Sequence, residues 1–252
     1  MTRDRAVAVV SGAAGGLGRA MAAALAQAGW SVLGVEHPDR ADAIPAACDG
    51  GLGIDLAEVG RDADAATAAC DAIADALNGA PLGLLVNNAA VQHLAPTADL
   101  AWADWQASLA VNLSAPFVLV QGLLPFLRDA QGVVVNVGSV HATATKPGFA
   151  AYATSKAGLH GLTRALAVDL GGQVRVVGLA PAAVATPMLE AGFAGRAEAR
   201  AALAAAHPVG RIATPDEVAA AVVFLASPAA GFMTGAVLSL DGGVLSRLND
   251  PL

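Results

Sequence analysis

The sequence predicts an α/β fold, a doubly wound parallel sheet with helices on both faces. Short β-branched runs without polar alternation recur along the chain, as strands buried on both faces require. Alanine-rich helical stretches separate them. The first such run passes at once into a glycine-rich turn and then a helix. The 252 residues are 56% hydrophobic and only 14% charged, enough for a sizeable core. No repeat or low-complexity linker interrupts them, so one domain over residues 1–252 is expected.

Taken in order, Ala6 to Val10 reads as the first strand, and Ser11-Gly12-Ala13-Ala14-Gly15-Gly16-Leu17-Gly18 follows it. Arg19 to Ala28 is helix, stopped by Gly29. Glycines in this context let the backbone approach a pyrophosphate, and the helix N-terminus favours that anion. Ser31 to Val35 is the second strand, ended by Glu36. An acid at this distance accepts hydrogen bonds from the ribose hydroxyls of NAD and repels the extra phosphate of NADP. No arginine or lysine stands at Ala14 or His37 to receive that phosphate. NAD is therefore the expected cofactor of this Rossmann-type half.

Residues 39–53 read as a loop with a short helix, and Gly53-Ile54-Asp55-Leu56 as a short third strand. Asp55 either hydrogen-bonds an adenine or caps the next helix. Helix is expected from Val59 to Leu77, and the fourth strand from Leu82 to Val86. Asn87-Asn88-Ala89-Ala90 then forms a small-residue turn open to a cofactor. Trp102 to Leu127 reads as one long helix, bent or ended by Pro116 and Pro125. Asn112 in its apolar interior needs a partner, and a backbone carbonyl would serve.

Val133 to Val137 is the fifth strand and delivers Ser139 at its carboxyl end, where ligands of such sheets collect. The helix from Ala151 to Leu170 carries Tyr152 and Lys156, four apart and so on one face. A fixed cation there favours phenolate and lowers the tyrosine pKa. A phenol so tuned exchanges a proton with an alcohol or carbonyl, and Ser139 can hold the same oxygen. Val174 to Leu179 and Ala236 to Leu240 are the last strands. Thr214-Pro215-Asp216-Glu217 opens a helix with a capping box.

In combination, Gly12-x3-Gly16-x-Gly18, Asp55, Asn87-Asn88-Ala89, Asn112, Ser139, Tyr152-x3-Lys156 and Pro181 to Thr186 resemble the short-chain dehydrogenase/reductase family along nearly the whole chain. That resemblance implies a single Rossmann domain. Residues 1–100 would serve mainly the dinucleotide, 101–252 the catalysis, and about 183–210 a substrate lid. It implies Tyr152 as general acid/base and Ser139 as the group orienting the substrate oxygen. Lys156 would lower the tyrosine pKa and bind the nicotinamide ribose, and Asn112 would hold a relay water. Ser11, Gly12, Gly16, Leu17, Gly18, Glu36, Asp55, Leu56, Asn88, Ala89 and Ala90 would contact the nucleotide. Pro181, Val184 and Thr186 would hold the nicotinamide. A homotetramer, burying the last helix and strand, is implied as well. Three positions depart from the family pattern: Ser11 replaces a usual threonine, and Ala90 and Ala182 replace glycines.

Gln92 and His141 open loops near Tyr152 and suggest a hydrophilic substrate, a sugar or polyol. The alternatives are a 3-hydroxy acid or a 3-oxoacyl compound, or a non-catalytic nucleotide sensor. A carboxylate substrate needs a cation, and Lys146 is the one at hand. The net charge of −7 and scattered basic residues exclude a nucleic-acid surface. Cys48 and Cys70 form no disulfide framework, and no metal-ligand spacing occurs, so no metal is expected. The Met1 to Arg5 start shows no signal-peptide pattern, and no apolar run approaches the ~18 residues of a membrane span. A cytoplasmic setting is expected.

Overall fold

The computed structural model describes residues 6–248; the Met1 to Arg5 segment read above lies outside them. Seven strands form one parallel sheet, in the order β3-β2-β1-β4-β5-β6-β7. They are β1 (Val7–Ser11), β2 (Ser31–Glu36), β3 (Gly50–Gly53), β4 (Leu82–Asn87), β5 (Val133–Val137), β6 (Arg175–Pro181) and β7 (Val237–Leu240). Every residue of β1, β2, β4 and β5 is buried. Alternate side chains feed opposite layers: Val7 and Val9 enter one core, Ala8 and Val10 the other.

The helices are α1 (Gly16–Gln27), α2 (Leu56–Val59), α3 (Ala63–Leu77), α4 (Trp102–Leu109), α5 (Ala115–Gly122), α6 (Leu124–Asp129), α7 (Ala150–Asp169), α8 (Pro187–Gly192), α9 (Ala197–Ala206) and α10 (Pro215–Ala226). Met21 and Leu25 of α1 pack with Val218, Val222 and Leu225 of α10 on one face of the sheet. Each of these fully buried side chains contributes about 1.5–3 kcal/mol over exposure. Ile73, Leu119, Leu127 and Leu166 cover the other face from α3, α5, α6 and α7. The expected capping box is present: Thr214 and Glu217 bond each other's backbone at the start of α10.

Three local expectations need correction. The third strand lies at Gly50–Gly53 rather than 53–56, because Leu56 already begins α2 and Asp55 caps it through Ala57 N–H (2.8 Å). The helix expected from Val59 is two helices. Gly60 breaks it where a Cβ would collide with the Ala110 carbonyl, and Asp62 caps the restart at Ala65 N–H (2.8 Å). The helix expected from Trp102 to Leu127 contains a π turn, Ala110–Ser114, and restarts after Leu123 as α6. Pro125 sits in the first turn of α6, where a missing N–H costs nothing, whereas Pro116 follows just after the π turn within continuous helix.

Strand order reverses beside β1, with β2 on one side and β4 on the other. The carboxyl ends of the strands open there into the cleft that holds the site.

Candidate active site

A cleft of about 1120 Å³ runs along the carboxyl edge of the sheet. Gly12, Gly16, Leu17, Gly18, Glu36, Asp55, Leu56, Asn88, Ala89 and Ala90 line one part of it. Gln92, Ser139, His141, Tyr152, Lys156, Pro181, Val184 and Thr186 line the rest. Of the expected site residues, Ser11 and Asn112 do not line it. Both are buried and act on their neighbours.

Ser11 Oγ accepts from Asn88 N–H (3.0 Å) and Ala89 N–H (3.1 Å) and donates to the Val86 carbonyl. Asn88 Nδ2 returns a bond to the Ser11 carbonyl (2.8 Å). The hydroxyl therefore ties the glycine loop to the end of β4, and serine supplies it as well as threonine. Gly12 has φ +67°, and a Cβ there would press on Ala89 Cα at 2.9 Å. A Cβ at Gly16 would meet Pro187 Cδ at 2.8 Å. The loop thus presents bare backbone and the N-terminal amides of α1 to the cleft, a cradle that fits a dinucleotide pyrophosphate. Neither Ala90 nor Ala182 has positive φ, so their added methyls cause no backbone strain.

Glu36 is 8% exposed. Its Oε2 accepts from Ala14 N–H (2.8 Å) and its Oε1 from His37 N–H (3.1 Å). The two amides fix the carboxylate at the cleft wall. The cation absent from positions 14 and 37 is supplied one turn later. Arg40 lines the cleft, with Nη1 3.9 Å from Glu36 Oε1 and Nη2 donating to the Ala14 carbonyl (3.3 Å). Asp55 combines both roles read for it, since it caps α2 and also faces the cleft.

Ser139, Tyr152 and Lys156 converge at the carboxyl end of β5. Ser139 faces Tyr152 closely enough to favour its phenolate, while its Oγ accepts from His141 N–H (3.2 Å), and the Lys156 ammonium lies 5.8 Å from the tyrosine ring centroid. Lys156 is 2% exposed and donates to the Val137 carbonyl (2.8 Å). Burial pulls its pKa from 10.5 down to about 8. The expected fall in the tyrosine pKa is not what the structure has. Burial raises the phenol above its usual 10.0, and the Ser139 hydrogen bond opposes this only in part.

Asn112 is fully buried in the π turn. Its amide donates to the Val91 carbonyl (2.9 Å) and Ser155 Oγ (3.0 Å), and its oxygen accepts from Val91 N–H (2.9 Å). Ser155 in turn donates to the Tyr152 carbonyl (2.8 Å). Both side-chain donors are thus consumed inside the protein, tying the Val91 loop to the Tyr152 turn of α7. A second ladder escaped sequence reading. Asn87 Nδ2 donates to Asn136 Oδ1 (2.8 Å), and Asn136 Nδ2 to Thr163 Oγ1 (3.0 Å), joining β4, β5 and α7. The polar residue inside the otherwise apolar Val133–Val137 run was its signal.

His141 stacks on Phe149 (4.3 Å, 10°) and meets Tyr152 edge-on at 5.8 Å. Its Nδ1 pairs with Thr145 Oγ1 (2.9 Å). Burial first, and Lys146 second, lower its pKa, so the ring is neutral near pH 7. Leu94, Phe149, Leu189, Phe193 and Leu245 also line the cleft, making its wall more apolar than Gln92 and His141 suggested. Thr186 caps α8, its Oγ1 accepting from Leu189 N–H (3.3 Å). Among the described residues no group of three or more potential ligands could hold a metal ion, and no helix is long and apolar enough to cross a membrane.

A parallel sheet with this switch point, a glycine cradle and a buried Ser-Tyr-Lys cluster defines a class of nucleotide-dependent oxidoreductase. The chain belongs to the short-chain dehydrogenase/reductase family, whose chemistry is oxidoreduction between alcohols and carbonyls. A family model described as enoyl-(acyl carrier protein) reductase matches residues 12–245. D-threitol dehydrogenase of Mycolicibacterium smegmatis is 39% identical over 244 residues, 95% of this chain and 93% of its own. Galactitol 2-dehydrogenase of Rhizobium johnstonii is 40% identical, covering 94% and 93%. A solved structure assigned as an NAD(P)-dependent gluconate 5-dehydrogenase from Beutenbergia cavernae, with NADP bound at low occupancy, superposes with a TM-score of 0.85. It is 35% identical, covering 96% of this chain and 97% of that one.

Proposed function

We propose that this protein is a nicotinamide-dependent dehydrogenase that interconverts a secondary alcohol of a sugar or polyol with its ketone, using NAD in preference to NADP. The observation that carries this reading is the convergence of Ser139, Tyr152 and Lys156 on one cleft beside the glycine cradle. The threitol and galactitol dehydrogenases named above support the substrate class.

The nucleotide, when bound, accepts or supplies the hydride. Gly12, Gly16, Leu17 and Gly18 cradle its pyrophosphate, with Asn88, Ala89 and Ala90 closing the opposite wall. Glu36 takes the adenosine ribose hydroxyls, while Asp55 and Leu56 border the adenine. Pro181, Val184 and Thr186 hold the carboxamide, and Lys156 holds the nicotinamide ribose. Ser139 and Tyr152 both hydrogen-bond the reacting substrate oxygen. Tyr152 takes its proton during oxidation and returns one during reduction. Lys156, at a pKa of about 8, is charged at neutral pH and stabilises the phenolate as it forms. Asn112 holds the relay through its place in the π turn, since its amide donors are already taken. Gln92 and neutral His141 read further substrate hydroxyls.

Residues 183–210 act as a lid. Glu190 of α8 and Arg200 of α9 pair through two bonds (2.7 and 2.8 Å), linking the two helices at the surface. The exposed Val168, Phe224 and Phe232 mark the surface of a homotetramer. The free Cys48 and Cys70 suit a reducing, cytoplasmic setting.

Tyr152→Phe tests the reading. Turnover, followed as nicotinamide absorbance, falls at least a thousandfold while nucleotide affinity stays within about threefold. Retained turnover removes the proton-transfer role.

A further inference from the structure

The cleft is not uniformly charged. Its carboxylates, Glu36 and Asp55, belong to the nucleotide part. Around Tyr152 and the α8–α9 segment the ionisable lining residues are Lys156, His141, Lys146, Arg196 and His207, with no Asp or Glu among them. In a chain of net charge −7, that lining is locally inverted.

Lys146 has a defined seat. Its ammonium lies 4.8 Å from the Phe149 ring centroid, and Phe149 meets Tyr152 edge-on at 6.2 Å. Those two steps carry the charge from the reacting phenol within the length of a small molecule. Phe149 also stacks on His141, so lysine, phenylalanine, histidine and tyrosine form one wall. Arg196 comes from the facing segment, between α8 and α9, with its guanidinium 5.5 Å from the Phe193 ring centroid. Among the described residues neither Lys146 nor Arg196 makes an ion pair, whereas the nearby Arg200 is committed to Glu190. Both are exposed at the cleft rim, where Arg196 also donates to the Gly192 carbonyl, and neither has a carboxylate partner among the described residues, so an anion entering the cleft meets two cations with no competing counter-ion. The pyrophosphate does not need them, because the glycine loop and α1 already provide its amides.

We propose that the substrate carries a carboxylate, bound by Lys146 with Arg196 reaching over from the lid, so that the enzyme acts on hydroxy acids. This rests on the alcohol–carbonyl reading above and narrows it. The division of labour follows from the wall. Lys146 takes the charge, neutral His141 and Gln92 take hydroxyls, and Phe149 packs against the C–H face of the carbon chain.

The test compares matched pairs of one carbon skeleton: threonate with threitol, galactonate with galactitol, and 3-hydroxybutyrate with butane-1,3-diol. Nucleotide reduction is measured for wild type, Lys146→Ala, Lys146→Arg and Arg196→Ala. The expected result is a higher kcat/KM for the acid in at least one pair. Lys146→Ala lowers the acid-to-alcohol ratio of kcat/KM at least tenfold, chiefly through KM, and Lys146→Arg restores most of it. Arg196→Ala lowers the same ratio. Calorimetric nucleotide Kd separates this from a cofactor effect; a Lys146→Ala loss that tracks weakened nucleotide binding overturns the clamp. So does a ratio unchanged by Lys146→Ala, or an alcohol favoured in every pair. If no pair is turned over, the same acids are titrated into nucleotide-saturated Tyr152→Phe. Binding that Lys146→Ala abolishes upholds the clamp while the catalytic reading falls, and no binding overturns the clamp too.

Discussion

Lys156 stores a stability penalty that its function requires. In the folded protein its pKa is about 8, against 10.5 when exposed, because burial disfavours the ammonium. Below pH 8 both states are protonated, and the folded state bears the whole cost. Between pH 8 and 10.5 the unfolded chain holds a proton that the folded chain has released. Stability therefore rises with pH across this window, by about 1.4 kcal/mol per pH unit from this one group. The full gap corresponds to about 3 kcal/mol. The perturbation is Lys156→Met, which keeps the stem and removes the charge. It also loses the bond to the Val137 carbonyl, a pH-independent cost of about 1–3 kcal/mol, so absolute stabilities of the two proteins are not compared. The assay is urea unfolding of the ligand-free protein from pH 7 to 9.5. Wild type gains about 2 kcal/mol over the variant across the range from pH 7 to 9.5. Parallel pH curves for the two proteins would refute a buried, strained lysine.

Glu36→Ala raises NADP affinity relative to NAD at least tenfold, read as a ratio of calorimetric Kd values, and Arg40→Ala shifts that ratio the other way. An unchanged ratio in the first variant would mean Glu36 does not read the ribose. Asn112→Ala removes three internal hydrogen bonds and strands the Val91 N–H and carbonyl, costing about 3 kcal/mol. The melting temperature drops by roughly 6–10 °C. A drop below 2 °C would show that the Val91 loop is held by something else.

Much of this architecture was legible in the residues. Doubly buried strands show as unbroken apolar runs, and six of the seven fell within two residues of their expected ends. β3 did not, because it is written in glycine. A Cβ at Gly51 would meet Ile44 Cδ1 at 2.7 Å, so packing removed the β-branched side chains that signal a strand. Tyr152 and Lys156 were legible because helical spacing alone brings them together. Arg40 was not, since its approach to Glu36 depends on the 3-10 turn Pro38–Ala43. The apolar wall of Leu94, Phe149 and Phe193 was hidden for a similar reason. These residues come from loops far apart in sequence, and only the fold assembles them. The tyrosine pKa shows a different limit. The sequence places a cation near the phenol but not the burial that overrides it.

On the reading proposed above, this cleft oxidises a secondary alcohol with a nicotinamide nucleotide. Nucleotide reduction, followed by absorbance across alditols, aldoses and hydroxy acids with NAD and NADP in parallel, puts that chemistry to the test. Reduction is expected with polyhydroxylated or hydroxy-acid substrates, faster with NAD, and lost in Tyr152→Phe. Failure to reduce with any member of the panel, together with failure to bind either nucleotide, would contradict it.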